Sequence, residues 1–165
     1  MQQSSSQHRF TVSALFSALP VGTSFLRKNW PAHVTLAGNF SVDAPVDEIA
    51  LAVRRAGVLT EPVDIRFNGT EWFGPDHDRQ VQLVLPERVS TVHERLADEL
   101  EQLPGFIADE PDFWREGYRP HLTLGSAITP EAGEVKETVQ ISVARLSRNS
   151  ATIEVAFSLP ARDSA

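Results

Sequence analysis

Cysteine is absent from the 165 residues of the chain. That excludes disulfides, a thiolate nucleophile and thiolate zinc sites. A cytoplasmic location is the expectation, since zero cysteine demands no oxidising compartment. Long apolar runs are missing too. No stretch approaches the roughly 18 consecutive apolar residues that a membrane span needs. The N-terminus imitates a secretory leader only loosely, because Thr11, Ser13 and Ser17 interrupt its apolar stretch. Residues 1–7 are read instead as a disordered start and 161–165 as a tail, flanking one domain over 8–160. Positive charge is scarce. Fifteen Lys and Arg face 22 Asp and Glu, for a net charge of −7. Non-specific binding to a DNA duplex depends on phosphate neutralisation, so this balance argues against it. A small anionic ligand or one RNA end remains compatible with a local basic patch. His-x-His and His-Glu-x-x-His spacings are also absent, which makes a zinc site a poor reading.

What is present is a repeat. WPAHVTLAG at 30–38 and YRPHLTLG at 118–125 share His, any residue, Thr, Leu and a small residue. With five His and ten Thr, chance gives about 0.3 His-x-Thr occurrences, so one hit means little and two in matching contexts mean more. Period-two patterns predict strands over 9–19, 33–40, around 63–67, 81–85 and 118–125, and a final hairpin over 141–159 turned at Arg148-Asn149-Ser150. Apolar spacing of three and four predicts helices over 45–56 and about 88–103. Asn68-Gly69 and GPDHD at 74–78 read as turns, and Thr129-Pro130 as the start of a short helix. After each His motif the order helix, strand, turn, strand recurs, with VDIRF answering VQISV and VQLVLP answering VAFSLP. The pattern predicts an α+β, bilobal duplicated fold. Two antiparallel sheets would be related by a pseudo-twofold axis around a central cleft, with helices outside.

Residues two apart on a strand share a face. His33 therefore projects with Thr35, and His121 with Thr123, while Val34, Leu36, Leu122 and Leu124 point toward a core. Two imidazoles near their ordinary pKa of about 6.5 can supply a base and an acid together. Two hydroxyls can donate to phosphate oxygens. A bell-shaped pH–rate profile with limbs on either side of neutrality is expected of such a pair. His8, His77 and His93 lack this context and are read as structural or solvated.

Around the motifs, Arg27 and Lys28 precede the first, and Arg115 and Arg119 the second. They are either ordinary surface charge or anion contacts. Trp30 and Tyr118 read as core packing at strand entrances or as stacking surfaces. Trp114, on a long loop over 104–117, and Phe25 are the better candidates for stacking on a base.

PAHVTLAG and YRPHLTLG resemble the paired His-x-Thr signatures of the 2H phosphoesterase superfamily, the 2′-5′ RNA ligase-like family, over nearly the whole chain. The resemblance implies a bilobal α+β fold and metal-independent chemistry, without a cofactor, on 2′,3′-cyclic phosphates or 2′-5′ linkages. It implies His33 and His121 as acid and base, in an order left open, and Thr35 and Thr123 as phosphate ligands. A monomer acting on a small nucleotide or RNA terminus, away from membranes, is expected. The alternatives are a hydrolase of cyclic or 2′-5′ oligonucleotide messengers, an RNA 2′-5′ ligase, and a module that binds nucleotides or RNA ends without turnover.

Overall fold

The computed structural model describes residues 8–125 and 128–161; the expected disordered start lies outside them, as does nearly all of the expected tail. Its first strand, β1 (His8–Leu15), explains why its alternation is imperfect in sequence. Phe10, Val12 and Ala14 are buried, and so are Thr11 and Ser13 between them. A strand covered on both faces need not alternate apolar with polar. β1 lies inside a six-stranded antiparallel sheet with β2 (Ser24–Leu26), β3 (His33–Val42), β6 (Ile107–Ala108), β9 (Gln140–Leu146) and β10 (Ser150–Ser158), in the order β2-β10-β9-β1-β3-β6. The second sheet has the order β7-β5-β4-β8, from β4 (Asp64–Phe73), β5 (Arg79–Val84), β7 (His121–Thr123) and β8 (Val135–Glu137).

Two helices complete the α+β fold. α1 (Val46–Arg55) buries Ile49, Ala52 and Val53. α2 (Pro86–Leu100) starts with Pro86, whose fixed φ and missing N–H suit a first helical turn. It buries Val89, Val92, Leu96 and Leu100, at the three- and four-residue spacings that put side chains on one face. α2 packs on α1 and on the back of β3. No helix among the described residues is long and apolar enough to cross a membrane.

The expected lobes are present, but they are not the two halves of the sequence. The first His strand, β3, shares its sheet with the last hairpin, β9–β10. The second, β7, shares its sheet with β4–β5. The spatial counterpart of β5, the strand beside β7, is therefore β1, which lies beside β3. The chain passes between sheets four times, at β3–β4, β5–β6, β6–β7 and β8–β9.

Two local expectations are corrected. Asn68-Gly69 is not a turn. β4 runs through it with a bulge between Phe67 and Thr70, and Gly69 takes φ +111° there. The Gly69 amide donates to the Gln82 side chain, whose Nε2 donates to the Pro130 carbonyl at 3.0 Å. Residues 128–134 form no helix. Their backbone is committed to the sheet instead: the Gly133 amide donates to Phe67, and the Phe67 amide donates to Glu134.

Candidate functional site

β3 and β7 pack against each other between the two sheets. Directly opposed residues of an antiparallel pair project to one face. On β3, His33 opposes Leu15 and Thr35 opposes Ser13. On β7, His121 opposes Leu83 and Thr123 opposes Val81. Val34, Leu36 and Leu122, the alternate residues, are buried in the core. The fold thus turns both polar pairs to one side of their strands.

Those four residues line a single cleft of about 1120 Å³. It is slightly larger than a typical small-molecule pocket of about 300–1000 Å³. Its other polar lining includes Arg27, Lys28, Asn29, Asn39 and Arg79. No Asp or Glu is among the lining residues. In a chain of net charge −7, that segregation makes the cleft a cationic site in an acidic protein. The Thr35 and Thr123 hydroxyls make no hydrogen bond to the described residues, which leaves both for a ligand. No group of three or more His, Asp or Glu among the described residues is placed to hold a metal ion.

Both imidazoles are held in the same way. His33 Nδ1 donates to the Pro31 carbonyl at 2.8 Å, and His121 Nδ1 donates to the Arg119 carbonyl at 2.9 Å. A carbonyl only accepts, so each Nδ1 keeps its proton and each Nε2 is the titrating atom. Each ring also has an aromatic neighbour. Trp30 stacks on His33 with centroids 4.8 Å apart, and Phe73 meets His121 edge-on at 4.7 Å. Burial pulls the pKa of His33 down to about 4, against the raising effect of the Pro31 carbonyl and with a further lowering from His121. Burial also lowers His121, helped by the charges of Arg79 and Arg119. Near neutral pH the neutral form is therefore favoured in both imidazoles.

Of the flanking candidates, Arg27 and Lys28 reach the cleft, on a 3-10 turn after β2. Phe25 does not line it, but backs Trp30 at 5.1 Å. Trp30, expected mainly as packing, does line it. The Arg119 side chain is outside: it pairs with Glu71 at 2.9 Å and lies over the Phe73 ring, while its carbonyl holds the His121 ring and its charge acts on it.

Trp114, Arg115 and Tyr118 are corrected as cleft contacts, because each is spent on the fold. Trp114 packs on Phe40, Phe106 and His93, and its indole donates to Glu101 at 2.7 Å. Arg115 is clamped by Glu94 and Asp98 of α2 and by Glu101 just past its end, at 2.6–2.9 Å, which raises its pKa and lowers that of Glu101. Tyr118 donates its hydroxyl to the Thr35 carbonyl at 2.7 Å, and burial raises its pKa. Its ring stacks on buried His93 at 4.2 Å. His93 donates Nδ1–H to the Leu36 carbonyl and accepts the Arg115 amide proton at Nε2, so it is structural as expected. The long loop is thus a brace between α2 and β3.

Sequence reasoning missed Arg79 and Asn39 as lining residues. Arg79 had one readable signal, its even spacing from Val81 and Leu83, but only the pairing of β5 with β7 says which face that is.

Residues 12–158 match the family model described as the 2′-5′ RNA ligase superfamily. Among solved structures, TT0787 of Thermus thermophilus is similar at 19% identity and TM-score 0.55, covering 92% of this chain and 97% of that one. A crystal structure described as a phosphoesterase is similar at 13% identity and TM-score 0.55, covering 94% and 99%. Escherichia coli LigT complexed with 3′-AMP is similar at 14% identity and TM-score 0.54, covering 94% and 99%. These likenesses carry the fold. A comparison with curated proteins finds no match.

Proposed function

The chain belongs to the 2′-5′ RNA ligase superfamily, and we propose that it is a metal-independent phosphodiesterase acting on 2′,3′-cyclic phosphate or 2′-5′ linked substrates. One observation carries this reading: both His-x-Thr pairs line one cleft that holds cations and no carboxylate. LigT structures of the same fold were solved with ATP, 3′-AMP and NADP+, which is in keeping with a nucleotide in this cleft.

On a 2′,3′-cyclic phosphate, His33, held neutral by burial, takes a proton from water at Nε2. The water oxygen bonds to phosphorus as one ribose-oxygen bond to phosphorus breaks. His121 delivers its Nε2 proton to that ribose oxygen. Thr35 and Thr123 donate to the non-bridging oxygens, where charge gathers. The products are a phosphomonoester and a free ribose hydroxyl, and the two rings exchange protonation states. On a 2′-5′ linkage the neighbouring 3′-hydroxyl replaces water, and the departing oxygen is the 5′ one. The reverse of that step is ligation.

The test uses EDTA throughout. A 2′,3′-cyclic mononucleotide, a 2′-5′ oligoadenylate and a cyclic dinucleotide are each incubated with wild type, His33→Ala and His121→Ala. At least one substrate is expected to be cleaved, and each variant to lose about 10²- to 10⁴-fold. Activity surviving both substitutions would sink the mechanism. Tight binding without turnover would replace it with a binding module.

A further inference from the structure

We propose that Arg79 is a third phosphate-binding residue, supplied from the His121 side of the cleft. The inference rests on the phosphodiesterase reading above and deepens it. β5 and β7 are paired with Val81 opposite Thr123 and Leu83 opposite His121. Directly opposed residues share a face. Arg79 lies two residues before Val81, so the period of two puts it on that same face. Its side chain lines the cleft with both His-x-Thr pairs.

Its charge is available there. Arg115, Arg119, Arg9, Arg88 and Arg145 are each paired with Asp or Glu. Arg79 makes no hydrogen bond or ion pair with the described residues, and no carboxylate among them lines the cleft to compete for it. It is close enough to His121 for its charge to act on that ring. An anion held beside His121 therefore also lies in the field of Arg79, which lines the same cleft. A guanidinium offers two parallel N–H donors, which match two oxygens of one phosphate.

The arrangement makes the two halves of the site unequal. The His33 side presents Trp30 over its ring, with Arg27 and Lys28 on the turn before it. The His121 side presents one arginine on the sheet itself. A strand position is held more firmly than a loop position, so Arg79 can meet the phosphate that reacts. The turn cations are left for more distant parts of a ligand.

The test compares Arg79→Gln and Arg79→Lys with wild type and with Arg66→Gln, an exposed β4 arginine outside the cleft. Two readouts are taken. One is kcat/KM against pH on the substrate that wild type cleaves. The other is inorganic phosphate binding, followed by NMR of the His121 ring. Arg79→Gln is expected to lower kcat/KM by about 10²-fold, the size of losing one oxyanion donor, with the lysine variant in between. It is expected to weaken phosphate binding and to raise the titration midpoint of His121, since a repelling cation is gone. Arg66→Gln is expected to match wild type. An Arg79→Gln protein that folds, turns over within about threefold of wild type and binds phosphate equally would overturn the assignment. A wild type that cleaves no phosphodiester defeats the phosphodiesterase reading instead, and phosphate binding then judges Arg79 separately.

Discussion

The two lowered histidines make a quantitative expectation about pH. The perturbation is pH itself, applied first to the free protein and then to the protein with an anion in the cleft. kcat/KM reports groups in the free enzyme, and kcat reports those in the complex. In the free protein His33 becomes neutral above about 4, which sets the rising limb. His121 lies below 6.5, which sets the falling limb. With that midpoint below its ordinary value, kcat/KM should peak on the acid side of neutrality and fall as pH rises from 7 to 8, by up to about tenfold. Both limbs move below the neutrality-straddling positions that two ordinary imidazoles suggest, because burial disfavours the charged ring. A bound phosphate reverses this. One negative charge about 4–5 Å from an imidazole, at an effective dielectric of about 20, favours the charged ring by about 3–4 kcal/mol, which is about 2–3 pH units. The kcat profile should then sit to the alkaline side of the kcat/KM profile. The assay is initial rate over pH 4–9 at several substrate concentrations, in EDTA and constant ionic strength. Calorimetry of phosphate binding in buffers of different ionisation heat should show proton uptake at pH 7. Superimposed profiles, a kcat/KM maximum at pH 8, or binding without proton uptake would refute the reasoning.

Two substitutions test the brace behind the cleft. Tyr118→Phe removes the hydroxyl that holds the Thr35 carbonyl, so it should cost about 0.5–1.5 kcal/mol in chemical denaturation and lower kcat more than it raises KM; an unchanged kcat would mean that the β3 backbone needs no such hold. Trp114→Ala should cost about 3 kcal/mol of stability while leaving relative rates on different nucleobases unchanged; a changed base preference would restore it as a stacking surface.

The meeting of both His-x-Thr pairs in one cleft was legible because they repeat in sequence and because a strand fixes which neighbours share a face. His-x-Thr on β3 and β7 needed nothing else. The surrounding cleft was less legible, because it is assembled across the sheets. Arg115 and Arg79 look alike in sequence. Only the placement of three carboxylates, along α2 and at its C-terminal end, around Arg115 shows that it is consumed. Trp114 sits near Asp112, Arg115 and Glu116 in sequence but packs in space on Phe40 of β3 and on Phe106 from the start of its own loop. Asn68-Gly69 has turn chemistry, yet the Gln82 side chain satisfies its backbone within a strand. Local propensity yields there to a partner 13 residues away.

The four passages of the chain between the sheets bear on how a substrate gets in. Two lobes joined by one strap can swing apart like a jaw. Lobes stitched together four times cannot swing without bending every stitch. The spacing of the two imidazoles is therefore coupled to all four connections at once. Selectivity then falls to the rims, where the β2 turn carries Arg27 and Lys28 and the opposite sheet carries Arg79.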